Sequence, residues 1–305
     1  MMAAAVPENA ECGGTGGGFP TPLSPPYPTL SKEVELRRAM SAAARSGAYV
    51  IAANDIVFED EWLVVANKPS GIYCDALISS LSSSSSRNST IQSNLHLANR
   101  LDRDTSGLMV ITKSNQVAGK LVKAFTDHKV KKSYLALCVG NAPSWEKIKI
   151  SSGHGRSKFG AWRVYSASDV GRVLPGGSFV KHMATAFEVL SINRQGNFRV
   201  LNMLNMDELQ SLVVQQSRGE SEGGTDEVLV RAFPESGRTH QVRLHCQYLW
   251  LPIRGDVKYG GVHEWKGMDC DFHALHAESL SFEHPITGAY VSFHAPLPSW
   301  VIETC

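Results

Sequence analysis

Asn99-Arg100-Leu101-Asp102-Arg103-Asp104-Thr105-Ser106-Gly107 runs directly into Leu108-Met109-Val110-Ile111-Thr112. The first nine residues are turn chemistry, rich in side chains that bond their own backbone or tolerate unusual dihedrals. The residues that follow are apolar without alternation, the pattern of a strand covered on both faces. Asp102 sits between Arg100 and Arg103 at the mouth of that strand. An acid beside fixed positive charge stays ionised and oriented, which suits a nucleophile or a base. The same residue also reads as an ordinary turn acid that caps backbone N–H groups and pairs with Arg100 or Arg103.

Outward from this point, residues 62–67 read as a strand ended by a structural turn, Lys68-Pro69-Ser70-Gly71. Residues 115–127 have helical spacing, with Val117, Leu121, Val122 and Phe125 on one side. Strands are predicted over 134–139, 187–192, 198–204 and 228–233, and a hairpin over 279–294 turned at His284-Pro285-Ile286-Thr287-Gly288. A helix is predicted over 31–46, with Ser31 as N-cap and Val34, Leu36 and Met40 as its apolar face. Another is predicted over 239–249, and a short one over 209–214 inside a polar insertion. Residues 153–182 read as basic and irregular, and the serine-rich 79–90 as a mobile surface loop. Residues 1–30, rich in Gly, Pro and Ala, read as a disordered tail; 31–54 as a helix and linker; 55–300 as one domain. Many strands with few, irregularly placed helices define an α+β fold.

Composition excludes more than it selects. At 305 residues, with 43% hydrophobic and 19% charged content, the chain is an ordinary globular protein. A net charge of +1 gives no overall basic excess, so any nucleic-acid surface must come from local clusters. The six cysteines form no C-x-x-C pair, which argues against a zinc site or disulfide framework and for reduced thiols. No apolar run approaches the ~20 residues of a membrane span, so no membrane partner is expected. Lys32 is the first basic residue, and Glu8 and Glu11 are acidic, unlike a secretory signal or transit peptide. Cytoplasm or nucleus is the expected compartment, with an organelle left open.

Three further segments carry candidate chemistry. In Lys131-Lys132-Ser133-Tyr134, the tyrosine enters a strand, either as packing or as a ring for stacking on a base with a hydroxyl for proton transfer. Lys131 and Lys132 either hold phosphate or are solvated. In Gly237-Arg238-Thr239-His240-Gln241-Val242-Arg243, Arg238 projects from a turn and Arg243 from the helix. Arg243 either forks onto Asp102 or lies on a solvated face. Gly255-Asp256-Val257-Lys258-Tyr259-Gly260-Gly261 is a glycine-flanked loop suited to close approach, and it is neither a P-loop nor a dinucleotide fingerprint. His273, His276, His284 and His294 fall on loop and hairpin without a cysteine pair, so no metal is expected.

In identity and order, these segments resemble the RluA-type pseudouridine synthases over roughly residues 55–298, and specifically a eukaryotic, plant-like member. The resemblance implies a bisected mixed, mostly antiparallel sheet with flanking helices and loops, and a site in a central cleft. It implies isomerisation of uridine to pseudouridine in tRNA or rRNA, with no cofactor and no metal; a monomer is the simplest expectation for the oligomeric state. Asp102 matches the family's catalytic aspartate, Tyr134 the tyrosine against the target base, and Arg243 the arginine paired with the aspartate. Arg100, Arg103, Lys131, Lys132, Arg238 and His240 are the expected RNA contacts. Two departures stand out: Asn99 replaces a histidine usual in the family, and one predicted helix stands where many bacterial relatives carry an RNA-binding module. Substrate choice is therefore expected from the basic stretch, on Lys158, Arg163 and Arg172. The rival readings are a non-catalytic RNA-binding or chaperone protein on the same fold, and a hydrolytic glycosidase pairing Asp102 with Asp104.

Overall fold

The computed structural model describes residues 18–85, 94–196, 210–217 and 225–303. The strand expected over 198–204 lies outside them. In chain order the elements are α1 (Ser31–Gly47), β1 (Ile56–Glu59), β2 (Leu63–Lys68), α2 (Cys74–Ser85), β3 (His96–Leu97), β4 (Ser106–Thr112), α3 (Asn115–Thr126), β5 (Lys131–Gly140), β6 (Lys147–Arg156) and β7 (Trp162–Tyr165). They continue as β8 (Lys181–Ile192), β9 (Gln195–Gly196), β10 (Gln210–Val213), β11 (Asp226–Pro234), α4 (Gln241–Tyr248), β12 (Glu264–Trp265), β13 (Met268–Asp269), β14 (Leu275–Glu283), β15 (Tyr290–His294) and α5 (Ser299–Ile302).

One mixed sheet dominates, in the order β1-β2-β4-β14-β5-β11-β8-β6-β10. Pairing is antiparallel except at β4–β14 and β6–β10. The β4–β14 ladder is also the weak seam. It holds two residue pairs, Ser106 with His276 and Gly107 with Ala277, before the strands part. This seam bisects the sheet. Gly107 has φ +108, and an added Cβ would overlap the Ala277 backbone, so only glycine lets the two halves meet there.

The apolar run of β4 has the cause its pattern predicts: both faces are covered. Leu108 and Val110 pack with Leu63 and Val65 of β2, Leu121 of α3 and Phe282 of β14. Met109 and Ile111 face the other way, against Val64 and Ala66 and against Leu77 and Leu81 of α2. A third and larger core joins β5, β11 and β8 to α4, through side chains such as Leu137, Leu229, Phe187 and Leu244.

Several expectations are corrected. The serine-rich stretch is not a loop up to Ser85: it completes α2, because Leu77 and Leu81, one turn apart, anchor that helix in the core. Residues 153–182 hold the end of β6, all of β7 and the start of β8. Residues 210–213 form strand β10, parallel to β6, rather than a helix. On α1, Leu36 and Met40 face solvent, and the buried face is Val34, Arg38 and Ala42. The Ser31 side chain is not its cap; Leu30 holds the N-cap position without a side-chain bond. Residues 1–17 of the expected tail lie outside the described residues; 18–30 are mostly exposed but anchored at several points. Leu23 bonds Val164, Ser24 is buried against Arg163, and Tyr27 reaches Tyr259.

Candidate active site

The 99–107 stretch forms a loop at the sheet's seam, and almost every residue in it is tied down. The Lys68 ammonium is completely buried and donates to the carbonyls of Pro69 (2.8 Å), Ile72 (2.9 Å) and Arg103 (2.9 Å). Burial pushes this amine down to about 8, so it remains mostly charged at neutral pH. The Gly71 N–H donates to the same Arg103 carbonyl. The Lys68–Gly71 turn thus acts as a bracket for the loop. From the far side, His273 bonds Thr105 (2.7 Å) and His276 bonds Ser106 (2.8 Å). These histidines are structural; among the described residues no cluster able to hold a metal occurs. Arg103 forks onto Asp104 (2.7 and 2.6 Å) and reaches Glu35 of α1 at 3.4 Å. Asp104, buried in that fork, is not free to act as a second acid beside Asp102, which removes the ground for the glycosidase reading. Asn99 extends the β3–β4 ladder: its Oδ1 accepts from the Val110 N–H at 2.7 Å.

What the bracketed loop presents is Asp102, whose side chain is 29% exposed in a cleft of about 810 Å3. Arg243 donates to Asp102 Oδ2 at 2.7 Å. The Arg243 guanidinium is held from behind by a second carboxylate, Asp256, with bonds of 2.6 and 2.8 Å. Its planar group also lies 4.9 Å over the Tyr259 ring. Burial alone would lower the arginine's pKa, but Asp256 and Asp102 hold it well above its ordinary value. Burial alone would raise that of Asp102; its interactions with His240 and with the Arg243 guanidinium outweigh it and hold the carboxyl well below the usual range. His240 is itself pushed down to about 3, by burial first and then by Arg243. At neutral pH it is a neutral ring, and Arg243 carries the charge that keeps Asp102 ionised.

Sequence position explains this placement. Helix α4 is buried along its whole length. The turn before it is held by Gln241, which bonds Ser236, the Arg238 N–H, the Ala184 carbonyl and Thr185. The Asp256 loop is fixed by Arg38 of α1, which donates to the carbonyls of Gly255 and Cys270. Gly255 has φ +81, where a Cβ would overlap the Phe272 carbonyl, so the close approach anticipated for this loop is to backbone.

Tyr134, at the middle of the sheet on β5, lines the same cleft as Asp102. Burial and the Asp102 charge push its phenol up to about 12, so it keeps its proton at neutral pH. Arg100, Lys132, Arg238 and His240 also line the cleft. Lys131 lies in an adjoining hollow of about 570 Å3, shared with Lys132, Arg238 and His182. Arg103 faces the cleft, but its guanidinium is engaged by Asp104. Arg163, expected to help set substrate choice, is instead buried against Ser24. Arg172 pairs with Asp169. Asp256, Tyr259 and Lys68 were not legible as site residues; their one cue was the glycine or proline beside them.

A family model described as RNA pseudouridylate synthase matches residues 62–248. The chain is 64% identical over 293 residues to RNA pseudouridine synthase 1 of Oryza sativa subsp. japonica, covering 94% of this chain and 84% of the relative. It is 55% identical over 291 residues to RNA pseudouridine synthase 1 of Arabidopsis thaliana, covering 92% and 87%. Ribosomal large subunit pseudouridine synthase D of Vibrio cholerae is 29% identical, with 82% and 69% covered. A solved structure, Human RNA Pseudouridylate Synthase Domain Containing 1, shares the fold with a TM-score of 0.54 at 23% identity, over 82% of this chain and 87% of that one. The chain therefore belongs to the RNA pseudouridylate synthase family, in its RluA branch. It is an isomerase.

Proposed function

We propose that this isomerase acts on uridines of tRNA or rRNA with Asp102 as its catalytic carboxylate. The observation that carries this reading is a carboxylate kept ionised by Arg243 and opened to a cleft shared with Tyr134. The reaction breaks the N1–C1′ bond, turns the uracil and closes a C5–C1′ bond; C5 loses a proton and N1 gains one. Asp102 acts at the ribose, where an ionised acid of fixed aim is needed. Tyr134, protonated, serves through its ring as a stacking face for the detached base rather than as a resting base. The uridine must leave its stack to reach Asp102, at a cost of a few kcal/mol. Arg100, exposed at the cleft, and Lys132 and Arg238 along it supply the phosphate contacts that offset this cost.

With C5-tritiated tRNA and rRNA, the enzyme is expected to release tritium, and nuclease digestion to yield pseudouridine. Free uracil in place of pseudouridine would mean hydrolysis and overturn the reading. The hollow holding Lys131, Lys132 and Arg238 makes a second prediction. Lys131→Ala with Arg238→Ala should flatten the salt dependence of RNA affinity by about one unit of log–log slope per lost phosphate contact. KM should rise more than kcat falls; an unchanged slope in filter-binding titrations would remove these residues from the RNA path.

A further inference from the structure

A line of polar groups enters the cleft from the N-terminal segment. The Trp162 backbone N–H donates to the Tyr27 oxygen at 3.1 Å. That oxygen lies 3.4 Å from the Tyr259 hydroxyl, which lies 2.7 Å from Nδ1 of His240. Nε2 of His240 faces Asp102 Oδ2 at 3.7 Å. His240 is held there with φ +58, a left-handed conformation that histidine adopts more readily than most residues. Tyr259 is 1% exposed, and its ring meets His240 and Tyr27 edge-on, so none of the three partners is free to swing away.

The chemistry gives this line a direction. A backbone N–H only donates, so the Tyr27 oxygen accepts at that end and has its own hydrogen for Tyr259. A carboxylate only accepts, so across 3.7 Å its charge favours the tautomer in which the imidazole nitrogen facing it carries hydrogen. The opposite tautomer would aim a lone pair at the Asp102 charge. Resting on the assignment of Asp102 as the catalytic carboxylate, we infer that Tyr27 and Tyr259 lock His240 as its Nε2–H form, making it a positioning residue for Asp102. Among the described residues, both Arg243 and His240 address Oδ2. They leave Oδ1 as the oxygen for the ribose. His240 is therefore a second hold on the carboxylate rather than an RNA contact, and the segment that carries Tyr27 completes the site from outside the sheet.

Long-range 1H–15N spectra of the 15N-histidine-labelled protein test this without any turnover, so the outcome stands apart from whether the substrate has been found. His240 signals, identified by their loss in His240→Gln, should show the Nε2–H pattern, and Tyr259→Phe should mix the tautomers. In the kinetic arm, Tyr259→Phe is expected to lower kcat about ten- to a hundredfold with KM nearly unchanged, and Tyr27→Phe by a few-fold. His240→Gln, whose amide can place an N–H at the Nε2 position, should retain at least about fivefold more activity than His240→Ala. An Nδ1–H pattern in the wild type would overturn the inference. So would equal activity of the Gln and Ala variants, or an unchanged kcat in both tyrosine variants.

Discussion

Asp102→Asn is expected to lower kcat by at least ~10^4-fold while leaving RNA affinity close to that of the wild type. The amide keeps the shape of the side chain and can still accept from Arg243, so the loop has no reason to move. It loses the negative charge, and with it both nucleophilicity and basicity. Lost binding would appear in KM; lost chemistry appears in kcat. Tritium release measured beside a gel-shift titration separates the two. Turnover within tenfold of the wild type would remove Asp102 from the mechanism. The charge environment adds a pH expectation. Because Asp102 is held well below the usual carboxylate range, it remains ionised as pH falls through 4. Any acid limb in the rate profile above that point should belong to another group or to unfolding.

Asp256→Ala is expected to be the most destabilising single change at the site, costing about 3–5 kcal/mol, or on the order of 10 °C in Tm. Asp256 is 1% exposed and makes two bonds to a buried guanidinium. Its removal leaves Arg243 buried with a single, partly solvated partner. Asp102→Asn should shift Tm little, because Asp256 still neutralises the arginine. On the proposed reading the same arginine has one carboxylate for stability and one for chemistry, and thermal melts of the two variants test that division. Equal melting shifts would contradict that division.

The parts of the fold legible in sequence were those whose burial is written locally. The run Leu108–Thr112 reads as a two-sided strand because both of its faces are covered by neighbours. The hairpin at His284–Gly288 is set by its own turn residues, with the Gly288 N–H bonding the His284 carbonyl. Asp102, Tyr134 and Arg243 were visible through motif, and the structure brings Asp102 and Arg243 into contact and Tyr134 into their cleft. Asp256 was not visible as their support. Nothing in Gly255-Asp256-Val257 says that Arg38, far upstream, will pull that loop against Arg243. Residues 18–30 misled for the same reason: their composition is that of a free tail, and only contacts with Val164, Arg163 and Tyr259 order them. Serines in α2 masked the Leu77–Leu81 spacing.

Strand β5 carries Tyr134 at the centre of the sheet, yet its two ladder partners, β11 and β14, both come much later in the chain. About 90 residues separate its end from the end of β11. At ~5–20 residues per second, a ribosome leaves Tyr134-Leu135-Ala136-Leu137-Cys138-Val139 without either edge covered for roughly 5–20 s. During that interval the nascent chain exposes an apolar, uncharged segment without Pro or Gly, the kind of segment that pairs with copies of itself. The central position that gives the cleft its rigid floor therefore makes biogenesis a race between translation and self-association. Chaperone supply and translation speed should govern soluble yield more strongly than the stability of the finished fold.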